Sequence, residues 1–301
     1  MKSIVTGGAG FIGSHLVDKL INLGYEVIVI DNESAICHNH FYYNSEASYY
    51  KYDIADYDAI RPLFNGVDYV FHLAAESRIQ PSIDNPLLCF RTNALGTSVV
   101  LQCAREAGVK RVLYSSTSSA YGRNNTPPLK ETMAEDCLNP YSVAKVAGEK
   151  MCKMYYDLFG LETIIFRYFN VYGVREPLKG EYAPVIGLFI RQRQANQPLT
   201  IVGDGEQRRD FTHVDDVVQA NINAMNYIGE KNNNYFGTVF NVGTGNNHSV
   251  NEIAALISDN VTFIPSRMGE ARETMANINK IVTVLNWTPT KKIENYIKEQ
   301  L

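Results

Sequence analysis

An α/β architecture on a doubly wound parallel sheet is predicted by three features of this chain. Short runs rich in Val and Ile alternate with amphipathic stretches, a glycine-rich turn follows the first run, and an acid closes the second. Strands that alternate with helices in this way pack as one parallel sheet with helices on both faces.

The strand segments are Ile4-Val5, Val27-Ile30, Tyr49-Tyr52, Tyr69-Leu73 and Val112-Tyr114, separated by stretches of helical periodicity. A helix from Tyr141 to Phe159 then leads into a strand from Glu162 to Arg167, so a nucleotide-binding domain is expected over 1–170. From Val171 the chain holds more Gly, Pro, Arg and Asn, with loops at 173–180, 203–209 and 243–247, the texture of a smaller substrate lobe over 171–301. Elements such as Asp215 to Met225 are candidates to return and cover the sheet, so the boundary in sequence need not be one in space.

Composition narrows the function. Against 32 Asp and Glu, 28 Lys and Arg leave a formal net charge of −4 and no basic footprint for gripping nucleic acid. A chain of 301 residues that is 45% hydrophobic can bury a large core. No apolar run approaches the roughly 18 residues of a membrane span. Met1-Lys2 runs straight into a strand pattern, which leaves no room for a secretion signal and makes a cytoplasmic chain the expectation. Five cysteines, at 37, 89, 103, 137 and 152, are odd in number and never spaced as CxxC, which fits reduced thiols. Cys37, His38 and His40 are crowded into one Tyr-, Asn- and Ser-rich loop, unlike the spacings of zinc sites, and no metal is expected.

Gly7-Gly8-Ala9-Gly10-Phe11-Ile12-Gly13 lies where the first strand turns into a helix from Phe11 to Leu23. There Gly7 permits the tight turn, Gly10 the approach of a pyrophosphate to the backbone, and Gly13 close helix packing, while the helix N-terminus supplies amide donors. A glycine run alone is a plain turn; the strand before it and the helix after it make it a dinucleotide signature. Asp31 ends the next strand about 20 residues on, where an acid bonds the adenosine ribose hydroxyls and repels a 2′-phosphate. The expected cofactor is therefore NAD rather than NADP.

Tyr141 and Lys145 stand four apart at the start of a helix, on one face. Spacing alone says little, because Tyr227 and Lys231 repeat it in a polar stretch where only a solvated surface pair is expected. Position separates the two. Upstream of the first pair, Val112-Tyr114 runs into Ser115-Ser116-Thr117-Ser118-Ser119, which puts hydroxyls at the carboxyl end of a central strand, where doubly wound folds bind ligands. A tyrosine of ordinary pKa, near 10, is a poor base at neutral pH. The Lys145 ammonium and the positive nicotinamide ring are expected to lower it. Tyr141 then takes a hydroxyl proton, with Thr117 sharing the hydrogen bond, as hydride leaves the same carbon for the cofactor.

These segments, with His72-Leu73-Ala74-Ala75, Asn93 in NALGT, and NPYSVAK, resemble the extended short-chain dehydrogenase/reductase family over nearly the whole chain. Arg167-Tyr168-Phe169-Asn170-Val171-Tyr172-Gly173, then Gly203 to Phe211, then Arg267 to Arg272 are similar to the nucleotide-sugar epimerases of that family. The resemblance implies a Rossmann sheet and NAD contacts from Gly7, Gly10, Phe11, Ile12, Gly13, Asp31 and Asn32. It implies further contacts from Asp53, Ile54, Leu73, Ala74, Ala75 and Asn93, and from Ser115, Tyr141, Lys145 and Tyr168. Thr117, Tyr141 and Lys145 are the implied catalytic set. Arg78 and Phe169 join the implied substrate site, where Asn170 binds the sugar diphosphate, Arg209 and Arg267 hold the phosphates and Glu270 touches the nucleoside. Thr274 stands where relatives line the sugar pocket, and a small residue there leaves room for an N-acetyl group. Homodimers are implied, through helices here spanning Asp84 to Ala107 and Tyr141 to Phe159.

Relatives that eliminate water carry an Asp-Glu pair directly after the threonine, and decarboxylating relatives tend to have Glu at position 119. This chain has Ser118 and Ser119, and a hydroxyl cannot replace a carboxyl as general acid. Glucuronate epimerases usually show threonine in place of Asn170. The implied reaction is 4-epimerisation of a UDP-hexose or UDP-N-acetylhexosamine with NAD retained throughout. Three alternatives stand beside it: an acidic sugar such as UDP-glucuronate, to which Arg78 points; another nucleotide-sugar epimerase or dehydratase; and a binding protein that kept the NAD fold without catalysis.

Overall fold

In the computed structural model, which describes residues 1–35, 40–177, 184–229, 234–266 and 271–301, the chain starts with β1 (Lys2–Thr6), α1 (Phe11–Asn22) and β2 (Glu26–Ile30). It continues through β3 (Ser48–Tyr50), β4 (Tyr69–His72), α2 (Thr97–Glu106), β5 (Arg111–Thr117), α3 (Pro140–Phe159) and β6 (Glu162–Tyr168). Beyond residue 170, α4 (Val214–Asn226) and β7 (Thr238–Val242) return to the same layers. The seven strands run in the order β7-β6-β5-β4-β1-β2-β3, with every neighbouring pair parallel. β1 pairs with β2 on one side and with β4, which the chain reaches from β3, on the other, and such a switch point opens a crevice at the carboxyl ends of the strands. The doubly wound sheet expected from the alternating pattern is the one formed.

Both faces of the sheet are covered, which is why its strands are continuous Val and Ile runs. Leu16, Val17 and Leu20 of α1 pack with Val217 and Val218 of α4 and with Trp287 on one side. On the other, Val100 and Leu101 of α2 meet Cys152 and Tyr155 of α3. A separate cluster of Tyr172, Phe189, Leu199, Ile253 and Tyr296 forms the core of the C-terminal lobe. β7 pairs with β6 from Thr238 opposite Ile164 to Val242 opposite Tyr168, so the division near residue 170 is not a division of the sheet.

Three local expectations change. The third strand ends at Tyr50 rather than Tyr52. The helix expected from Asp84 to Ala107 breaks at Asn85, whose side chain accepts the Leu88 amide and caps a new helix, Pro86–Phe90; proline lacks an amide hydrogen and so favours the first turn. A π turn over Arg91–Gly96 then joins that helix to α2. Tyr227 is not a solvated residue: its ring packs edge-on against Phe236, 5.3 Å between centroids, at the rim of the larger core. Lys231 lies outside the described residues.

Cys89, Cys103, Cys137 and Cys152 are free thiols. Cys37, His38 and Asn39 lie outside the described residues. Among the described residues, no helix is long and apolar enough to cross a membrane.

Candidate active site

At the β1–α1 turn the backbones approach so closely that side chains do not fit. Gly7 adopts a φ of 71°, and a Cβ on it would lie 2.7 Å from the Ala74 amide nitrogen. On Gly13 a Cβ would lie 2.1 Å from the Gly7 carbonyl oxygen. Gly10 caps α1 without a side-chain hydrogen bond, which leaves the first helical amides to a ligand. The Asp31 carboxylate accepts the Ala9 amide at 3.0 Å and the Glu33 amide at 2.8 Å, tying the turn to the end of β2, and burial raises its pKa. Gly7, Gly10, Phe11, Ile12, Gly13, Asp31 and Asn32 line one end of a long cleft. Ile54, Leu73, Ala74 and Ala75 continue it, and Ser115, Tyr141, Lys145 and Tyr168 close the other end.

Asp53 and Asn93 shape this cleft without lining it. Asp53 accepts the Ala55 amide and pairs with Arg91, its cationic neighbour on the π turn. Asn93 is buried, accepting the Glu76 amide at 2.8 Å and donating to the Glu76 carbonyl at 2.9 Å and to Cys89 Sγ at 3.5 Å, so its side-chain amide ties the loop after β4 to the helix Pro86–Phe90. His72 extends the same support. Its Nδ1 meets Thr6 Oγ1 at 2.7 Å, its Nε2 meets Thr97 Oγ1 at 2.9 Å, and Thr97 donates to the Asn93 carbonyl at 2.7 Å. Burial lowers the His72 pKa to about 3, which keeps the ring neutral.

The reacting groups stand where β5 ends and α3 begins. Thr117 Oγ1 accepts the Ser119 amide at 3.1 Å, capping the turn Ser118–Tyr121. Asn139 and Ser142 cap α3 reciprocally, with Pro140 in its first turn, which places Tyr141 and Lys145 near the helix start. Thr117 acts on the Tyr141 phenol, drawing its pKa down. Lys145 Nζ donates to the Ser115 carbonyl at 2.7 Å and lies 5.0 Å from the centroid of the Tyr114 ring. The expected lowering of Tyr141 by Lys145 is not what this geometry gives. Burial raises the phenol's pKa, and the groups that oppose it are Thr117 and Arg78, because the ammonium is turned to Ser115. Burial also lowers Lys145, to about 8.

Beyond Thr117 lies a second cavity, bounded by Ser118, Ser119, Asn170, Arg209 and Thr274. Asn170 Nδ2 donates to the Asp210 carbonyl at 2.9 Å and lies 3.5 Å from Thr274 Oγ1. Arg209 Nη1 donates to the Arg208 and Arg272 carbonyls at 3.0 and 3.3 Å. The buried Asp210 carboxylate accepts the amides of Thr244, Gly245 and Ala276 and the Thr244 hydroxyl, all within 3.0 Å, and so knots three loops under the cavity. Phe169 does not reach the cavity; it is wholly buried against Tyr121, Leu129 and Ala276. Arg78 lines neither space, and stands at the head of the helix Ile79–Asp84, from where it acts on Tyr141. Arg267 and Glu270 lie outside the described residues. Sequence reasoning missed Phe41, Tyr52, Thr92 and Pro177 along the cleft; their loops carry no periodic signal, and only the tertiary fold brings them there.

The model of the NAD dependent epimerase/dehydratase family matches residues 3–243. A relative from Methanocaldococcus jannaschii described as a putative UDP-glucose 4-epimerase is 38% identical over 303 residues, covering 98% of this chain and 95% of its own. The crystal structure of UDP-glucose 4-epimerase with UDP-glucose from Thermotoga maritima superimposes with a TM-score of 0.92 at 36% identity, over 99% of this chain and 96% of that one. A UDP-N-acetylglucosamine 4-epimerase from Methanobrevibacter ruminantium, in complex with UDP-N-acetylmuramic acid, gives 0.89 at 32% identity, over 99% and 96%. Relatives named as a UDP-glucuronate 4-epimerase and as a uronate decarboxylase match as well. With its glycine turn, strand-end acid, Tyr141 and Lys145 on one cleft, and Thr117 acting on Tyr141 though it lines neither cavity, the chain belongs to the NAD dependent epimerase/dehydratase family.

Proposed function

We propose that this protein interconverts UDP-galactose and UDP-glucose by epimerisation at C4, that it accepts the N-acetylated pair as well, and that NAD stays bound through each turnover. The observation that carries the reading is that one run of residues at the end of β5 serves two cavities. Ser115 and Ser116 line the first with Tyr141 and Lys145, Ser118 and Ser119 line the second, and Thr117 between them acts on the Tyr141 phenol.

The residues of the first cleft fit a dinucleotide. Amides at Phe11 and Ile12, in the first turn of α1, suit a pyrophosphate, and the Asp31 oxygens keep lone pairs for ribose hydroxyls. NAD supplies a hydride acceptor and donor when bound. Tyr141 removes the proton from the sugar hydroxyl, and Thr117 orients that hydroxyl. Arg78 already favours the phenolate. With serines at 118 and 119, no carboxyl follows Thr117 to drive elimination, so the 4-keto sugar is reduced back. Asn170 and Arg209 hold the diphosphate, and an arginine fork suits that group. In this reading 1–170 carries the cofactor and 171–301 the substrate.

Incubation with UDP-galactose and no added NAD, followed by chromatography, tests the reading: UDP-glucose is the expected product. If UDP-glucose, UDP-N-acetylglucosamine, UDP-glucuronate and dTDP-glucose all stay unchanged, a non-catalytic NAD protein is the better account. Thr274, 8% exposed, sets the N-acetyl tolerance. Thr274→Tyr is expected to slow UDP-N-acetylglucosamine at least ~10-fold, the scale of a steric block in a pocket, while UDP-galactose keeps its rate. Equal loss on both sugars would remove Thr274 from this role.

We also infer a homodimer. Leu87, Leu95 and Leu158 are 81%, 52% and 69% exposed on Pro86–Phe90, the π turn and α3, which pack side by side. Large apolar side chains left exposed on neighbouring elements favour a partner. Leu158→Asp is expected to convert a two-chain sedimentation mass to one; a wild type that already sediments as one chain refutes the dimer.

A further inference from the structure

Resting on the reading above, we propose that Glu149 and Arg167 are a positioning pair for the reacting groups: they cross-link β5, β6 and α3 behind Tyr141 and Lys145, and they set a fixed negative charge one helical turn beyond the Lys145 ammonium.

The pair is buried, with side chains 3% and 2% exposed. Glu149 Oε1 accepts Arg167 Nε at 2.9 Å and the Ser116 hydroxyl at 2.5 Å, and Oε2 accepts Arg167 Nη2 at 2.7 Å. The guanidinium also lies 4.6 Å from the centroid of the Tyr121 ring, whose hydroxyl donates to Asn241 on β7. Stability does not require such a pair, since apolar residues of similar volume often serve as well or better. Its place is what gives it meaning. Ser116 lies between Ser115, whose carbonyl holds Lys145, and Thr117, which acts on the Tyr141 phenol. One carboxylate thus fixes the end of β5 against the helix that carries the other two groups.

The charge matters as well as the contacts. The groups facing Lys145 are Tyr141, Glu149 and Cys152 from α3, Tyr114 from β5, His72 from β4 and Cys89 from Pro86–Phe90. Burial holds the thiols, the phenols and His72 in their neutral forms near pH 7 to 8. Glu149 is the carboxylate of the set, and it favours the protonated lysine against the burial that disfavours it.

The charge and the tie can be removed separately. Glu149→Gln keeps the shape and removes the negative charge, so the alkaline limb of the kcat–pH profile should move down by about one unit with KM for the nucleotide sugar unchanged. Ser116→Ala keeps both charges and cuts one tie, so kcat should fall about tenfold with the limb unmoved. A limb that stays in place in Glu149→Gln would show a merely structural pair and overturn the proposal. If the charge variant does not fold, an unchanged kcat in Ser116→Ala overturns the positioning role by itself. A ¹⁵N NMR titration of Lys145 Nζ, assigned with Lys145→Met, should show the same downward shift in Glu149→Gln. Because it needs no turnover, it separates failure of this proposal from failure of the epimerase reading.

Discussion

Replacement of Tyr141 by phenylalanine is expected to lower kcat for UDP-galactose about 10³-fold, the scale of a lost general base, with bound NAD retained. The substitution removes one oxygen and leaves the ring on the same helical turn, whose reciprocal Asn139–Ser142 cap does not involve it. Thr117 keeps its Ser119 amide, so the end of β5 stays as it is. Thr117 alone cannot take over the proton, because an aliphatic hydroxyl is a far weaker base than a phenolate. Steady-state rates, together with the NAD released on denaturation, check both halves. A variant within tenfold of the wild type would mean that the sugar proton goes elsewhere.

Gly13→Ala should damage the other end of the cleft. The added Cβ would sit 2.1 Å from the Gly7 carbonyl and 2.8 Å from the Gly8 Cα, both backbone atoms of the turn that meets the dinucleotide. Neither can swing aside as a side chain would, so α1 must lift from β1. A stability loss of about 1–3 kcal/mol is expected, as for overpacking elsewhere, with protein that purifies without NAD. Gly24→Ala is the control. Its Cβ meets nothing within 4 Å, but its φ of 79° costs about 1–2 kcal/mol, and cofactor should remain bound. Thermal unfolding and NAD content distinguish the two, and a Gly13 variant that keeps its NAD would refute the close-approach account.

The parts of this molecule that were legible in the sequence are those where local chemistry and tertiary placement agree. The glycine turn, Asp31 at the end of β2 and the Asn139–Pro140 start of α3 each carry their own backbone logic, and each stands where that logic puts it. Asp53, Asn93 and Phe169 were harder to place because residue type says nothing about direction: Arg91, the Glu76 backbone and the Tyr121 cluster claim them. The orientation of Lys145 was hidden for the same reason, since a carbonyl on β5 decides it. Asp210 stood in a recognisable motif, yet its work is on amides far along the chain, which spacing cannot reveal.

The strand β7 has a consequence for synthesis. Until residue 242 has left the ribosome, β6 has an open flank, with Ile164 to Tyr168 lacking the partner they bond in the finished sheet. The cofactor half cannot finish folding before most of the C-terminal half exists, and a fragment ending near residue 170 would present a free hydrophobic edge to other chains. The two halves are therefore poor modules for exchange: a graft that brought a new substrate lobe would also have to bring the last strand of the old sheet.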